Sequence, residues 1–283
     1  MLRRKKFLFF AGLMFALFFS YQPVLAYDHT VAHPNIANLA TELYNSQNEI
    51  KITNEQINYI IRGAGEEDVP IRWFNHFFDP VYNVGFSDFV FGEQFPIFPI
   101  APVWLQSPYE QIKYSIGDRS WQRALDDYAK GDKEKAFLGL GHAIHLLSDM
   151  AVPAHTRNSA HPGDSFESFV KNNWDNIRPL LQYEFKEINS LDQAFRELAE
   201  YSNNNFYSDR TIESEKYNLI KIKEIKKLDD NFNYFYSEKG VILFVGSKFD
   251  WSLNEQDKSL KNNNVLINNS TILIPQAISY SSG

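Results

Sequence analysis

The segment His145-Leu-Leu-Ser-Asp149-Met-Ala-Val-Pro153-Ala-His155-Thr-Arg-Asn158 sets three metal-capable side chains at spacings that helix geometry brings together. Apolar positions recur at helical spacing over 136–150, so His145 and Asp149, four apart, project from one face of one helix. Pro153 stops that helix, and the turn it imposes swings His155 back toward the same cavity. Imidazole nitrogen and carboxylate oxygen without thiolate suit Zn(II) or a similar divalent ion better than a soft-metal or iron–sulfur centre. A buried helix with a polar stripe would account for one histidine. Two histidines, an aspartate and a phased proline, followed within a dozen residues by more carboxylates and another histidine, point to a metal-binding core.

Around this segment the pattern predicts an all-α, multi-helix domain. Helices are expected over 35–44 and 53–63, with Thr53 as N-cap of the second, and amphipathic spacing predicts more over 121–130, 134–150, 165–177 and 191–203. Between 63 and 108 the chain is rich in Gly, Pro and aromatics without a sustained period and reads as ligand-bearing loops. Residues 204–270 carry Asn-rich patches and the β-like run Gly240-Val-Ile-Leu-Phe-Val-Gly246, which predicts a small hairpin or β-like insertion. No internal repeat is evident.

The amino terminus reads as a signal peptide over 1–26. Arg3-Arg-Lys-Lys6 precedes an apolar run over 7–19, and Val24-Leu25-Ala26 offers a small-residue cleavage site. The run is shorter than the roughly 20 residues of a spanning helix, so an uncleaved anchor ranks second. The expected product is a secreted or periplasmic domain of residues 27–283. It holds no cysteine, so disulfides cannot staple it and bound metal takes that place. A net charge of −7 leaves no basic footprint of the type nucleic-acid binders usually show.

These motifs resemble the signature of the zinc-dependent phospholipase C and single-strand nuclease superfamily. Asn75-His76-Phe-Phe-Asp79-Pro80 is similar to the family's histidine-aromatic-aromatic-aspartate-proline box, and Phe166-Glu167-Ser-Phe169-Val170 resembles its aromatic-glutamate segment. The stretch 121–144 resembles the helix leading into the signature, and Leu273-Ile-Pro275-Gln-Ala-Ile-Ser-Tyr280 the last helix. The resemblance covers about 27–179 and the end of the chain. It implies two or three zinc ions. His76, His145 and Asp149 would serve one site, His155, His161 and Glu167 another, and Tyr27, through its amine and carbonyl, with His33 a third. Asp149 would bridge two ions, and Asp68 would touch a metal or act as general base, with Glu67 as competitor. His29 is the alternative to His33, and Asp164 to His161, since Gly163 stands where the family histidine precedes the glutamate by four. His142, three residues before His145, reads as a supporting or core histidine.

The implied activity is phosphodiester hydrolysis by a zinc metallohydrolase, first of all phospholipase C-type cleavage of glycerophospholipids to diacylglycerol and a phosphorylated headgroup. The substrate-side partner would be a phospholipid or membrane surface, and no protein partner is expected. Aromatics such as Phe86, Phe89, Phe91, Phe95, Phe98 and Trp104 would touch lipid or flank a quaternary ammonium group, with Trp73 as an aromatic wall. Ordinary core packing is the competing reading for each ring. The same rings would stack bases in a single-strand nuclease or nucleotidase, the alternative enzyme. A metal-stabilised surface protein without turnover is the reading from a different class.

Overall fold

Helix dominates the computed structural model, which describes residues 30–69, 72–87, 89–90, 93–94, 98–114, 117–160, 163–229, 231–247 and 258–283. The expected signal segment, Tyr27, His29, His161 and the rings of Phe89, Phe91 and Phe95 lie outside the described residues. In chain order come α1 Ala32–Gln47, α2 Asn54–Glu66, a 3-10 turn Arg72–Asn75, a ribbon of β1 Phe89–Val90 and β2 Glu93–Gln94, α3 Ala101–Gln106, α4 Pro108–Tyr114, α5 Trp121–Ala129, α6 Lys133–Asp149 and α7 Pro153–Thr156. There follow α8 Ser165–Ile177, a 3-10 turn Arg178–Leu180, α9 Leu191–Asn205, strands β3 Ile222–Lys226, β4 Phe232–Ser237 and β5 Ile242–Ser247, and α10 Asn263–Ser282.

Caps set the helix boundaries. Thr53 and Gln56 form a reciprocal capping box at the start of α2, Asp132 accepts from the Lys135 amide ahead of α6, and Ser190 from the Gln193 amide ahead of α9. Helix α6 ends at Asp149, and Pro153 occupies the first turn of α7, where its missing N–H costs nothing. The expected loop region 63–108 is more ordered than its composition suggests. It contains the end of α2, a 3-10 turn and α3, with α4 beginning at its limit. Helix α3 spans one and a half turns and opens on Pro102 in its first turn, too short to display a helical period. The β-like insertion is a three-stranded antiparallel meander, β3-β4-β5, running past the predicted β5 into a full sheet.

Helix α6 lies at the centre of the core. Leu146, Met150 and, beyond the helix end, Val152 pack with Ile36 of α1, Leu198 of α9 and Leu273, Ile274 and Ile278 of α10. Strand β4 joins the same core through Phe235, which stacks on Phe244 of β5 at 4.8 Å. One contact matters for the site. Helices α2 and α6 meet backbone to backbone at two glycines: a Cβ on Gly63 would lie 2.0 Å from the Leu138 carbonyl oxygen, and one on Gly141 would lie 2.1 Å from that of Ile60. Only residues without a side chain permit this approach. Among the described residues no helix is long and apolar enough to cross a membrane.

Candidate metal centre

The close contact of α2 with α6 brings the carbonyl of Ala64 within reach of His145. The His145 Nδ1–H donates to it at 2.6 Å, which leaves the Nε2 lone pair facing inward. That nitrogen lies 3.4 Å from Asp149 Oδ2, 3.6 Å from Asp68 Oδ1 and 3.3 Å from His76 Nδ1. Asp149 stands one turn further along α6, and Asp68 enters from just beyond the end of α2.

His76 follows the 3-10 turn and presents its other nitrogen. Its Nδ1 is 3.0 Å from Asp149 Oδ2 and 3.5 Å from Asp68 Oδ1, while Nε2 points back toward Glu67 Oε1 at 3.7 Å. Glu67, fully buried, is held on the far side. Arg72 donates to both its oxygens at 2.6–3.0 Å, the Trp104 indole N–H donates at 3.1 Å, and His142 Nδ1 lies 2.8 Å from Oε2. Although burial pushes the Glu67 carboxyl upward, Arg72 and the two histidines hold it well below the usual carboxylate range. Glu67 and Asp68 are therefore separated by environment: the first is enclosed by cations and donors, and the second faces the histidines. His142 packs beside Glu67, away from the cluster, as a supporting residue.

His33 arrives from α1. Ser148 donates its hydroxyl to the His145 carbonyl at 2.8 Å, so at 2.8 Å from His33 Nδ1 its oxygen is left to accept. His33 Nε2 then lies 3.4 Å from Asp149 Oδ1, and the ring stacks on that of His145 at 3.6 Å between centroids. The expectation grouped His33 with Tyr27 at a third ion. The structure brings it into the central cluster, where His33, Asp68 and His145 form one set of donors and His76, His145 and Asp149 another, the donor atoms of each set lying within 4.8 Å of one another.

His155, turned inward by α7, donates from Nδ1 to the His76 carbonyl at 3.0 Å. Its Nε2 lies 3.5 Å from Glu167 Oε1 and 4.0 Å from Asp149 Oδ1. Of the second expected set, His155 and Glu167 stand together and His161 is outside the described residues. Asp164, its alternative, accepts through Oδ1 from the amides of Phe166 and Glu167, capping α8. The chain segments that carry His76 and His155 are also tied behind the site. The Phe78 amide donates to the His155 carbonyl at 3.3 Å, and the Tyr217 hydroxyl lies 2.6 Å from Asp79 Oδ2 and 2.5 Å from the Arg157 carbonyl. Arg157 is sandwiched between Tyr207 and Tyr217 at 4.7 and 5.0 Å and donates twice to the Asn203 carbonyl. Burial lowers its guanidinium to about 10.

The donors fit a divalent ion. Both oxygens of Asp68 and both of Asp149 are buried without a hydrogen-bond partner among the described residues, and a buried carboxylate left in that state costs several kcal/mol unless a cation compensates it. The donor separations of 3.0–3.6 Å match the edge of about 3.3 Å of a tetrahedron built on zinc–ligand bonds of about 2.0–2.1 Å. With no cation bound, the histidines themselves compensate these carboxylates. Burial opposes charge on His76, yet Asp149 and Glu67 raise it to about 10, and burial of Asp149 is outweighed by His155, His145 and His33, which hold it well below its ordinary range.

Two aromatic expectations are overturned. Trp104 is fully buried with Arg72 over its ring at 4.8 Å, and Phe86 is buried against Phe77, which itself stacks on His155. They are packing for the site, and neither offers a surface to lipid. Phe74 stacks on Phe98 at 4.8 Å, and half-buried Trp73 meets Phe74 edge-on. The clamp on Glu67 was invisible in sequence because Arg72, Trp104 and His142 come from three separate segments.

No family model matches the chain, and no curated protein sequence matches it. Thirteen chains of solved structure do match. One is the alpha toxin from Clostridium absonum, at 17% identity and a TM-score of 0.39, covering 62% of this chain and 53% of the toxin. Another is Clostridium perfringens alpha-toxin isolated from avian strain SWCP, at 13% identity and a TM-score of 0.48, covering 90% of this chain and 62% of the toxin. The chain thus spans between one half and two thirds of the length of the toxin chains it matches.

Proposed function

We propose that the chain is a zinc-dependent phosphodiester hydrolase of phospholipase C type, exported after removal of its first 26 residues. The observation that supports this reading is the pair of buried carboxylates, Asp68 and Asp149, facing nitrogens of His33, His76 and His145 at 3.0–3.6 Å. His76, His145, Asp149 and Asp68 would hold one ion. His33 would hold another through the shared Asp149, with Tyr27 completing it, and His155, Glu167 and His161 would serve a third. When bound, zinc supplies the Lewis acidity that a phosphodiester dianion-like transition state requires.

The chain's own residues divide the remaining work. Asp68 combines a buried carboxylate, no competing hydrogen bond among the described residues and a place beside two ligand histidines, which equips it to take a proton from the attacking water. His145 and His155 are kept in a single tautomer by backbone carbonyls, so their inward nitrogens meet positive charge without reorganisation. Choice of a glycerophospholipid over a nucleic acid rests on the net charge of −7, which disfavours a polyanion.

The test is metal content of the purified chain by elemental analysis, together with hydrolysis of p-nitrophenyl phosphorylcholine with and without chelator. Two or three zinc ions, with turnover abolished by chelator and restored by Zn(II), is the expected result. Bound zinc with cleavage of single-stranded nucleic acid instead would replace the substrate assignment, and absence of zinc would overturn the reading altogether.

A further inference from the structure

We propose that Glu67 is a positioning residue for the metal centre: its carboxylate, 3.7 Å from His76 Nε2 and so acting on it through charge and not through a hydrogen bond, favours the proton on Nε2 so that Nδ1 is the nitrogen presented to the ion. This rests on the reading of the cluster as a metal site and goes beyond it by assigning the residue that stands behind a ligand. A histidine ring with one nitrogen at 3.0 Å from Asp149 and the other turned toward a carboxylate has the arrangement in which an outer carboxylate selects the tautomer and raises the basicity of the inner nitrogen. Glu67 is suited to it. It is fully buried and fixed in place from three directions, by the Arg72 guanidinium, the Trp104 indole and His142. Arg72 is itself anchored to Gln111 at 2.9 Å, whose amide donates to the Trp104 carbonyl at 3.0 Å. The carboxylate therefore cannot swing into the cluster as a ligand without stripping Arg72 of its counter-charge.

This assignment differs from those of His145 and His155, whose outer nitrogens are satisfied by backbone carbonyls that no substitution removes. At His76 the same task falls to a side chain, as it does at His33 through the Ser148 hydroxyl, so it can be deleted.

A double-substitution cycle on the full chain tests the role, with Zn(II) affinity by competition against a chromophoric chelator and the visible spectrum of the Co(II)-loaded protein as readouts. Glu67→Gln is expected to weaken the first Zn(II) about 10–100-fold and to alter the Co(II) ligand-field bands. In a His76→Ala background, the same substitution should change affinity less than about threefold, because its effect passes through the missing ring. An equal loss in both backgrounds would mean that Glu67 acts through charge or folding alone and would overturn the proposal, as would unchanged affinity in Glu67→Gln. Should Glu67→Gln leave Arg72 uncompensated and fail to fold, Glu67→Gln with Arg72→Gln carries the same comparison. If the unsubstituted chain takes up no Zn(II), the metal reading itself fails and takes this inference with it; uptake by the unsubstituted chain with no effect of Glu67→Gln refutes the positioning role alone.

Discussion

Replacing Gly141 by alanine places a methyl group where two helices already touch. The added Cβ would sit 2.1 Å from the Ile60 carbonyl oxygen, 2.7 Å from the Ala64 amide nitrogen and 2.9 Å from Gly63 Cα. All three are backbone atoms, so no side chain can rotate away, and α2 must withdraw from α6 by roughly 1 Å to restore ordinary contact. That displacement would stretch the 2.6 Å bond from His145 Nδ1 to the Ala64 carbonyl beyond hydrogen-bonding range. Overpacking costs about 1–3 kcal/mol and the lost bond about 1 kcal/mol, against a gain of about 1 kcal/mol for alanine over glycine in a helix interior. The expected net is a destabilisation of about 1–3 kcal/mol in chelator, read from the urea midpoint. In addition, zinc affinity should fall because the His145 tautomer is no longer pinned and Asp68 moves with α2. Gly139→Ala is the comparison, since its Cβ would meet the methyl group of Ala124, which α5 can carry outward, and the zinc site should be spared. An unchanged midpoint and full zinc content in Gly141→Ala would refute the argument that this helix contact builds the site.

Asp68→Asn should retain most bound zinc while lowering turnover on a phosphodiester by about 10²–10⁴-fold, the range of a general base; if it is silent, the base lies elsewhere. Tyr217→Phe removes the hydroxyl between Asp79 and the Arg157 carbonyl, and a shift of the urea midpoint equivalent to about 1–3 kcal/mol is expected from the buried acceptors left behind. The metal-free chain should lose stability in acid: Glu67 and Asp149 have folded-state values held below 4.5 and 3.8, so their contribution is present above those values and disappears as pH falls through the depressed ones. His76 works in the opposite direction, since its value is raised to about 10. Its contribution is complete below 6.5 and lost as pH rises through about 10, and zinc must displace that proton, so zinc affinity measured against pH should rise with pH over this interval. A flat profile would refute the displacement of a proton from His76 by zinc.

Helix placement was legible where periodicity was long. Helix α8 spans the predicted 165–177, and α6 ends at Asp149 with Pro153 opening a new turn, because capping and proline chemistry are local. Helices α3 and α4 were hidden, since six or seven residues contain too little of a period to stand out. In the site, the spacing of His145 to Asp149 was sufficient to pair them, whereas the place of His33 depends on how α1 crosses α6 and on a hydrogen bond through Ser148. The same limit applies to Asp68 and Glu67. Adjacent in sequence and alike in chemistry, they are told apart by Arg72 and Trp104, whose approach is set by tertiary packing. The sequence groups Trp104 with the aromatic stretch that precedes it and leaves lipid contact and core packing as competing readings, and its burial is decided by the α3 contact with the core.

The strut through Asp79, Tyr217 and Arg157 bears on how the protein can be cut down. Every described donor of the cluster lies between residues 33 and 167, yet the segments carrying His76 and His155 are held from behind by Tyr217, Tyr207 and Asn203. A shortened chain ending after α8 would keep each of those donors and lose what aligns them. If the cluster takes up metal as proposed, the smallest unit expected to do so extends past Tyr217, well beyond the last donor of the cluster.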